Sequence, residues 1–433
     1  MRTKRDILEL VEQEDVEFIR LQFTDMFGNL KNMSVTVNQL AYVLDKQCMF
    51  DGSAMFGNEG GCEDDLYLVP DLDTFAILPW RPQADKVARM LCDVHKVDGS
   101  CYENSARCIL KRVVREYQEL GYTFSVDPEC EFFLFHIDEN GIPTTVTHEQ
   151  AGYMDVGPVD LGENSRREIV LCLEEMGFEI EASHHEAAPA QQEIDFKEGE
   201  PLQMADAIMT FKTAVRSIAR RFGMHATFMP KPKEGVAGSG MHLLFSVYKD
   251  GESIFHTLNE NGELCQEARW FIGGILKRAK EICAISNPLV NSYKRLLSGF
   301  DAPKEIFWTT RNQNGLVKVY DRIGEPVKVE LRFPDPSANP YLVLALCLEA
   351  GMQGIRLQEE PGEPMTYAEA QRTADSLPQN LREAVHLMKE STFVEKVLGK
   401  SFVDIYTDAK MKEWNDYMIQ VSEWEVKKYL NYI

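Results

Sequence analysis

The chain has 433 residues, 44% of them apolar, which is enough for two or three domains with real cores and excludes disorder as the main state. Its 46 Lys and Arg stand against 69 Asp and Glu, a net charge of −23 with His neutral. Such a surface repels nucleic acid and anionic membranes, so an anionic substrate must be met by cations gathered locally.

In chain order, the apolar spacing of residues 3–15 predicts a helix. VEFIRLQFTD and NLKNMSVTV follow as two strands joined by MFGN in a hairpin, and KVARMLCDV at 86–94 is a third strand. Between them, residues 50–74 carry glycines and acids with little periodicity and read as a long functional loop. The first hundred residues thus form a small α+β unit. The charged start and the lack of any run near the ~20 apolar residues of a membrane span indicate a soluble protein. Ten cysteines without a CxxC pair, Cys92, Cys130, Cys172 and Cys347 among them, read as reduced core thiols of a cytoplasmic protein.

From about Asn104 the texture changes to helices alternating with strands. ARCILKRVVREYQELGY, SRREIVLCLEEMGF, ADAIMTFKTAVRSIARRFG, EARWFIGGILKRAKEICAI and ANPYLVLALCLEAGMQGI have helical spacing, the last of them buried. VDPECEFFLF, the two arms of FEIEASHHEAAPAQQEIDF, HATFMP, GSGMHLLFSVYKDGES and VKVELRFP read as strands, and the last eighty residues as helical. Four strand-like stretches share one anomaly, an acid or His set against a dense apolar run. These are Glu129 and Glu131, Glu186 and Glu193, His242, and Glu330 with Arg332. Residues i and i+2 of a strand share a face, so one common site explains all four.

Five carboxylates and one imidazole in one site require divalent cations, and hard oxygen ligands favour Mg²⁺ or Mn²⁺. There is no HExxH zinc motif, and the adjacent His184 and His185 would face opposite ways on a strand. There is no P-loop either, so a nucleotide would be held by metals, Arg and Lys. Residue chemistry alone leads to a two-metal enzyme acting on phosphate or carboxylate substrates.

MFDGS, PECEFFLF, EASHHEAAPAQQEIDF, ATFMPKP, GSGMH, NSYKRL, VELR and FPDPSANPYL together resemble type I glutamine synthetase over essentially the whole chain. The resemblance implies an α+β chain with an N-terminal β-grasp domain at 1–103. A catalytic domain at 104–433 would follow, an antiparallel sheet with helices packed on it. It implies a homo-oligomer, a dodecamer of two hexameric rings with sites between subunits. The reaction would be ATP-dependent joining of glutamate and ammonia through γ-glutamyl phosphate. By position, Glu131, Glu186 and Glu193 would hold one metal, and Glu129, His242 and Glu330 the other. Ala237, Gly238, Arg295, Gln313 and Arg332 would face glutamate, and Glu181, Leu244, Ser246, Lys318 and Lys328 the nucleotide. Asp51 would bind ammonium and take its proton, Asp301 would stand on the flap over the glutamate site, and Arg332 would stabilise the transferring charge.

Departures from the family pattern cluster around the substrate. Ala237 replaces an Asn, Asp301 a Glu, Gln313 an Arg, and Lys318 and Lys328 stand for arginines. Lysine keeps the charge but loses the bidentate fork, and glutamine loses the charge. Two alternatives follow: a γ-glutamyl–amine ligase using another amine, and a nucleotide-binding regulatory paralogue with weakened turnover. Gly60 stands where feedback-regulated relatives often carry an arginine.

Overall fold

A computed structural model describes residues 1–57, 64–256, 263–300, 302–311, 314–322 and 324–433. Asp301, Gln313 and Gly60 lie outside the described residues.

The N-terminal part runs α1 (Lys4–Gln13), β1 (Val16–Thr24), β2 (Leu30–Thr36), α2 (Val37–Lys46), β3 (Cys48–Asp51), β4 (Asp65–Pro70), β5 (Ala76–Ile77) and β6 (Lys86–His95). Thr3 opens α1 with a capping box, accepting from the Asp6 N–H while the Asp6 carboxylate accepts from Thr3. The β1–β2 hairpin is antiparallel, and its turn is tied by the Asp25 carboxylate, which accepts from Phe27 N at 3.0 Å and Asn29 N at 2.8 Å. β1 lies parallel to β6, giving the sheet order β2-β1-β6-β4-β3 with β5 on β6. The segment expected to be loop, 50–74, is interrupted by β4. Leu66 and Leu68 alternate into the core there, a period too short to stand out among flanking acids.

The remainder runs α3 (Ala106–Gln118), β7 (Tyr122–His136), α4 (Glu163–Glu175), β8 (Ile180–His185), β9 (Gln191–Phe196), α5 (Pro201–Arg221), β10 (Met224–Thr227), β11 (Met241–Lys249), β12 (Glu252–Ser253), α6 (Gln266–Ser286), α7 (Val290–Leu297), β13 (Trp308–Thr309), β14 (Val317–Tyr320), β15 (Lys328–Leu331) and α8 (Pro340–Leu357). The short helices α9 (Tyr367–Thr373), α10 (Leu381–Glu390) and α11 (Thr392–Leu398) follow, with α12 (Lys400–Met418) and α13 (Glu423–Tyr429) closing the chain. The large sheet has the order β13-β14-β15-β11-β7-β9-β8, with β10 on β7 and β12 on β11. It is antiparallel apart from the β13–β14 pair, a small departure from the expected all-antiparallel sheet.

One face of this sheet is the core. Val126, Cys130 and Phe132 of β7, Leu243, Phe245 and Val247 of β11, Ile194 of β9 and Val329 and Leu331 of β15 are all fully buried there. They meet the apolar sides of α5, α6 and α8, and Phe132, Phe211 and Phe228 contact one another with ring centroids 5.7–5.8 Å apart. Each such side chain contributes on the order of 2–3 kcal/mol by leaving water. Because strand side chains alternate, packing these residues inward commits their neighbours to the opposite face. No described helix is long and apolar enough to cross a membrane.

Candidate active site

The opposite face is where the anomalous polar residues meet. β-Pairing sets Glu129 opposite His242 on one side and Asp195 on the other, and Glu131 opposite Glu193. Glu330 lies between Leu244 and Lys318, and His184 beside Glu193. Six adjacent strands therefore deliver one cluster into a cavity of about 610 Å³. Its lining includes Glu129, Glu131, Glu181, Glu186, Glu193, Ala237, Gly238, His242, Leu244, Arg295, Lys318, Lys328, Glu330 and Arg332.

Ser246 and Asp51 lie elsewhere. Ser246 continues the His242–Leu244 face of β11 but is buried beyond the cavity edge, opposite Ser125. Asp51 is exposed on the N-terminal domain, where its carboxylate accepts from Ser53 N at 2.8 Å at the head of a 3₁₀ turn.

Within the cavity, Glu129, His242 and Glu330 each offer a ligand atom, all within 4.8 Å of one another. His242 Nδ1 lies 3.3 Å from Glu129 Oε2 and 3.6 Å from Glu330 Oε1. Burial, seconded by the charge of Arg332, lowers His242 to about 4, so its imidazole is neutral and has a lone pair to give. A second convergence, His184 with Glu193 and Asp195, also lies within 4.8 Å. Burial raises Glu129 and Glu131 above the usual carboxylate range. Glu193 is raised well above it by burial and then by the charge of Glu131, and Asp195 is raised to about 7 by burial and Glu129. Carboxylates forced together at this depth hold protons unless a cation replaces them, and the oxygen-rich donor set suits a hard divalent ion.

Cations frame the acids. Lys318 Nζ lies 3.1 Å from Glu330 Oε2, and Arg332 Nε 3.3 Å from Glu330 Oε1. Arg295 is locked by backbone carbonyls, donating to Phe333 O at 2.9 Å and Arg332 O at 3.1 Å. Lys328 bridges Asp127 at 2.7 Å and Glu198 at 2.8 Å.

The glycine loop before β11 is shaped by close approach. Gly240 N donates to Glu131 Oε2 at 2.9 Å, and Gln191 Nε2 donates to the same oxygen at 2.7 Å and to Gly238 O at 3.1 Å. A Cβ on Gly238 would lie 2.2 Å from Pro230 O, a backbone atom that cannot swing aside. Gly238→Ala is expected to cost about 1–3 kcal/mol and to lower the melting temperature, and an unchanged melting curve would refute this close-packing account.

The family model "Glutamine synthetase, beta-Grasp domain" matches residues 15–97, and "Glutamine synthetase, catalytic domain" matches residues 103–429. The chain belongs to the glutamine synthetase family. It is a ligase of that family, and the α+β architecture is the family's. A Glutamine synthetase of Clostridium saccharobutylicum is 52% identical over 99% of both chains. One of Staphylococcus aureus is 47% identical over 99% of this chain and 98% of its own. Among solved structures, apo GmaS without ligand superposes with a TM-score of 0.88, at 30% identity, over 98% of this chain and 99% of that one. A GmaS/ADP complex gives 0.89 at the same identity and coverage.

Several residues that shape this glutamine synthetase site were missed in the sequence. Asp195 repeats on β9 the i, i+2 spacing of Glu129 and Glu131, a signal present in QQEID. His184 does turn into the cavity while His185 turns away, as strand alternation requires. Behind the site, His185 Nε2 lies 2.6 Å from Glu149 Oε1, and Glu149 Oε2 accepts from Leu161 N at 2.8 Å. Burial is the largest single influence and opposes the charged imidazole, but the hydrogen bond and charge of Glu149, with the Glu186 carbonyl, together outweigh it and raise His185. Arg322 donates to Glu181 at 2.5 Å on the cavity rim.

Proposed function

We propose that the chain joins glutamate and ammonia into glutamine at the expense of ATP, through γ-glutamyl phosphate. The observation that carries this is the Glu129–His242–Glu330 triad flanked by Lys318 and Arg332, in a chain whose full-length relatives are named glutamine synthetase. A structurally similar protein solved as an ADP complex supports a nucleotide substrate.

Glu129, His242 and Glu330 would hold one divalent ion, and Glu131, Glu186 and Glu193 another, Mg²⁺ or Mn²⁺. Ions bound there would draw charge from the phosphoryl oxygens of ATP. Arg332 and Lys318 stand beside the transferring phosphoryl group and stabilise its charge, and Glu181, Leu244 and Lys328 belong to the nucleotide side, whereas Ser246, buried outside the cavity, takes no part. The Arg295 guanidinium and the Gly238 backbone, next to Ala237, orient glutamate. The glutamate carboxylate takes the γ-phosphoryl group. Asp51 takes a proton from bound ammonium, and the ammonia so formed attacks the acyl carbon and expels phosphate.

Asp51 is not among the described residues lining the cavity, which all fall between 127 and 332. We infer that a neighbouring copy supplies it, in a homo-oligomer of twelve chains in two rings. The C-terminal tail supports association. Trp424, Leu430, Tyr432 and Ile433 are exposed there, apolar surface that a neighbouring copy would cover. The chain would divide at 103/104, and the nine described cysteines, all free, fit a cytoplasmic protein.

Incubation with ATP, Mg²⁺ or Mn²⁺ and glutamate is expected to release ADP only when ammonium is added, with glutamine formed in equal amount. A panel of primary amines in place of ammonium identifies the acceptor. ADP release with none of them would overturn the ligase reading and leave a nucleotide-binding regulator.

A further inference from the structure

A cluster of softer ligands lies outside the cavity that holds the carboxylates. His95 ends β6, Cys101 lies in the link to the next domain, and Cys108 is in the first turn of α3. A β-bridge joins the backbones of His95 and Cys101. One ring nitrogen of His95 and the two sulfurs all lie within 4.8 Å of one another, and Cys101 Sγ is 3.5 Å from His95 Nε2. A tetrahedral zinc ion, with Zn–S near 2.3 Å and Zn–N near 2.0–2.1 Å, separates a sulfur from a nitrogen ligand by about 3.6 Å. The sulfur and nitrogen are already at that edge length. Cys101 is exposed whereas Cys108 is buried, so the group is open on one side only. This departs from the expectation that the cysteines are core thiols.

The electrostatics agree with the geometry. The His95 imidazole beside Cys101 favours the thiolate, the form of the sulfur that binds a metal. Asp93, two residues before His95 on β6, is already engaged by Arg107 at 2.6 Å and Lys111 at 2.5 Å. It does not compete for the imidazole or the sulfurs.

We propose that His95, Cys101 and Cys108 form a zinc site with three protein ligands and a solvent molecule in the fourth position. Zinc binding displaces the Cys108 proton and the residual proton on Cys101. Two thiolates and an imidazole select a soft ion, whereas the carboxylate cavity selects a hard one, so the two sites fill independently. His95 belongs to the N-terminal sheet and Cys108 to the first helix of the catalytic half, so the ion fastens the two together.

The test uses the full-length protein, stripped of metal and held reduced by a phosphine, titrated with Co²⁺ in excess Mg²⁺. Thiolate-to-cobalt charge-transfer absorption is expected to saturate at one ion per chain and to disappear when Zn²⁺ is added. Cys101→Ser and Cys108→Ser are expected to lose the band and at least about a hundredfold in zinc affinity. Cys101→Ser, being exposed, is expected to fold and to keep Mg²⁺-supported glutamine formation unchanged. No charge-transfer band in wild-type protein with its full titre of free thiols would overturn the proposal, as would a band that survives in Cys101→Ser. A reduced chain that takes up no cobalt, but whose Cys101 and Cys108 are joined by mild peroxide, overturns it in favour of a redox pair.

Discussion

Glu330→Gln is expected to lower the turnover of glutamine formation by about 10²–10³ while leaving the fold intact. Glu330 is 3% exposed, and its carboxylate is shared by Lys318, Arg332 and His242 at 3.1, 3.3 and 3.6 Å. The amide fills the same space but carries no charge. Two cations would then face each other across a neutral group, and the proposed metal would lose one of its two carboxylates. The loss should appear in kcat and in the Mn²⁺ concentration needed for half-maximal rate, with excess Mn²⁺ restoring only part of it. The melting temperature is the control. A fall in rate of less than about threefold at saturating Mn²⁺ would show that Glu330 serves only to pair Lys318, and the assignment of this triad would fail.

Arg107→Met is expected to destabilise the chain by about 3–5 kcal/mol, the cost of leaving buried charges without their partner. Arg107 is 4% exposed at the start of α3 and pairs with Asp71 at 2.8 Å, Asp93 at 2.6 Å and Asp206 at 2.8 Å. Asp71 and Asp93 belong to the N-terminal half and Asp206 to α5, so one guanidinium joins three elements and both halves of the chain. Lys111 still reaches Asp93 at 2.5 Å, and Tyr341 still donates to Asp206 at 2.6 Å, which holds the cost within this range. Denaturant midpoints compared at one protein concentration measure it. Adding Asp206→Asn to Arg107→Met should recover part of the loss. Strict additivity of the two changes would show that the pair is not coupled.

How much of this was legible in the sequence depends on whether the signal is local. The acids of β7, β9 and β15 and the His of β11 betray themselves because each is set against an apolar run, and strand periodicity then says which share a face. Glu129 and Glu131 illustrate this: their repulsion is visible in PECEFFLF alone, and the structure adds their cross-strand neighbours, His242 and Asp195 for Glu129 and Glu193 for Glu131. β4 was hidden because six residues with two buried leucines resemble any acidic loop. Glu149 was hidden more deeply. It sits in an irregular segment with no period of its own, and its importance arises only when folding brings it to His185, 36 residues away. Lys318 and Lys328 look interchangeable as replacements for arginine. In the fold, Lys318 meets the triad, whereas Lys328 is tied to Asp127 and Glu198. Charge type can be read from one residue, but its partner cannot.

The alternation on β7 has a consequence for how such a gene can change. Val126, Cys130 and Phe132 point into the core, and Glu129 and Glu131 between them point into the cavity. Loss of a single codon within this strand would turn phenylalanines into the cavity and glutamates into the core in one step. Catalysis and folding would fail together, with no intermediate sequence that keeps either. Length variation should therefore be purged from this strand and from β9, β11 and β15, and should accumulate in the connections between them.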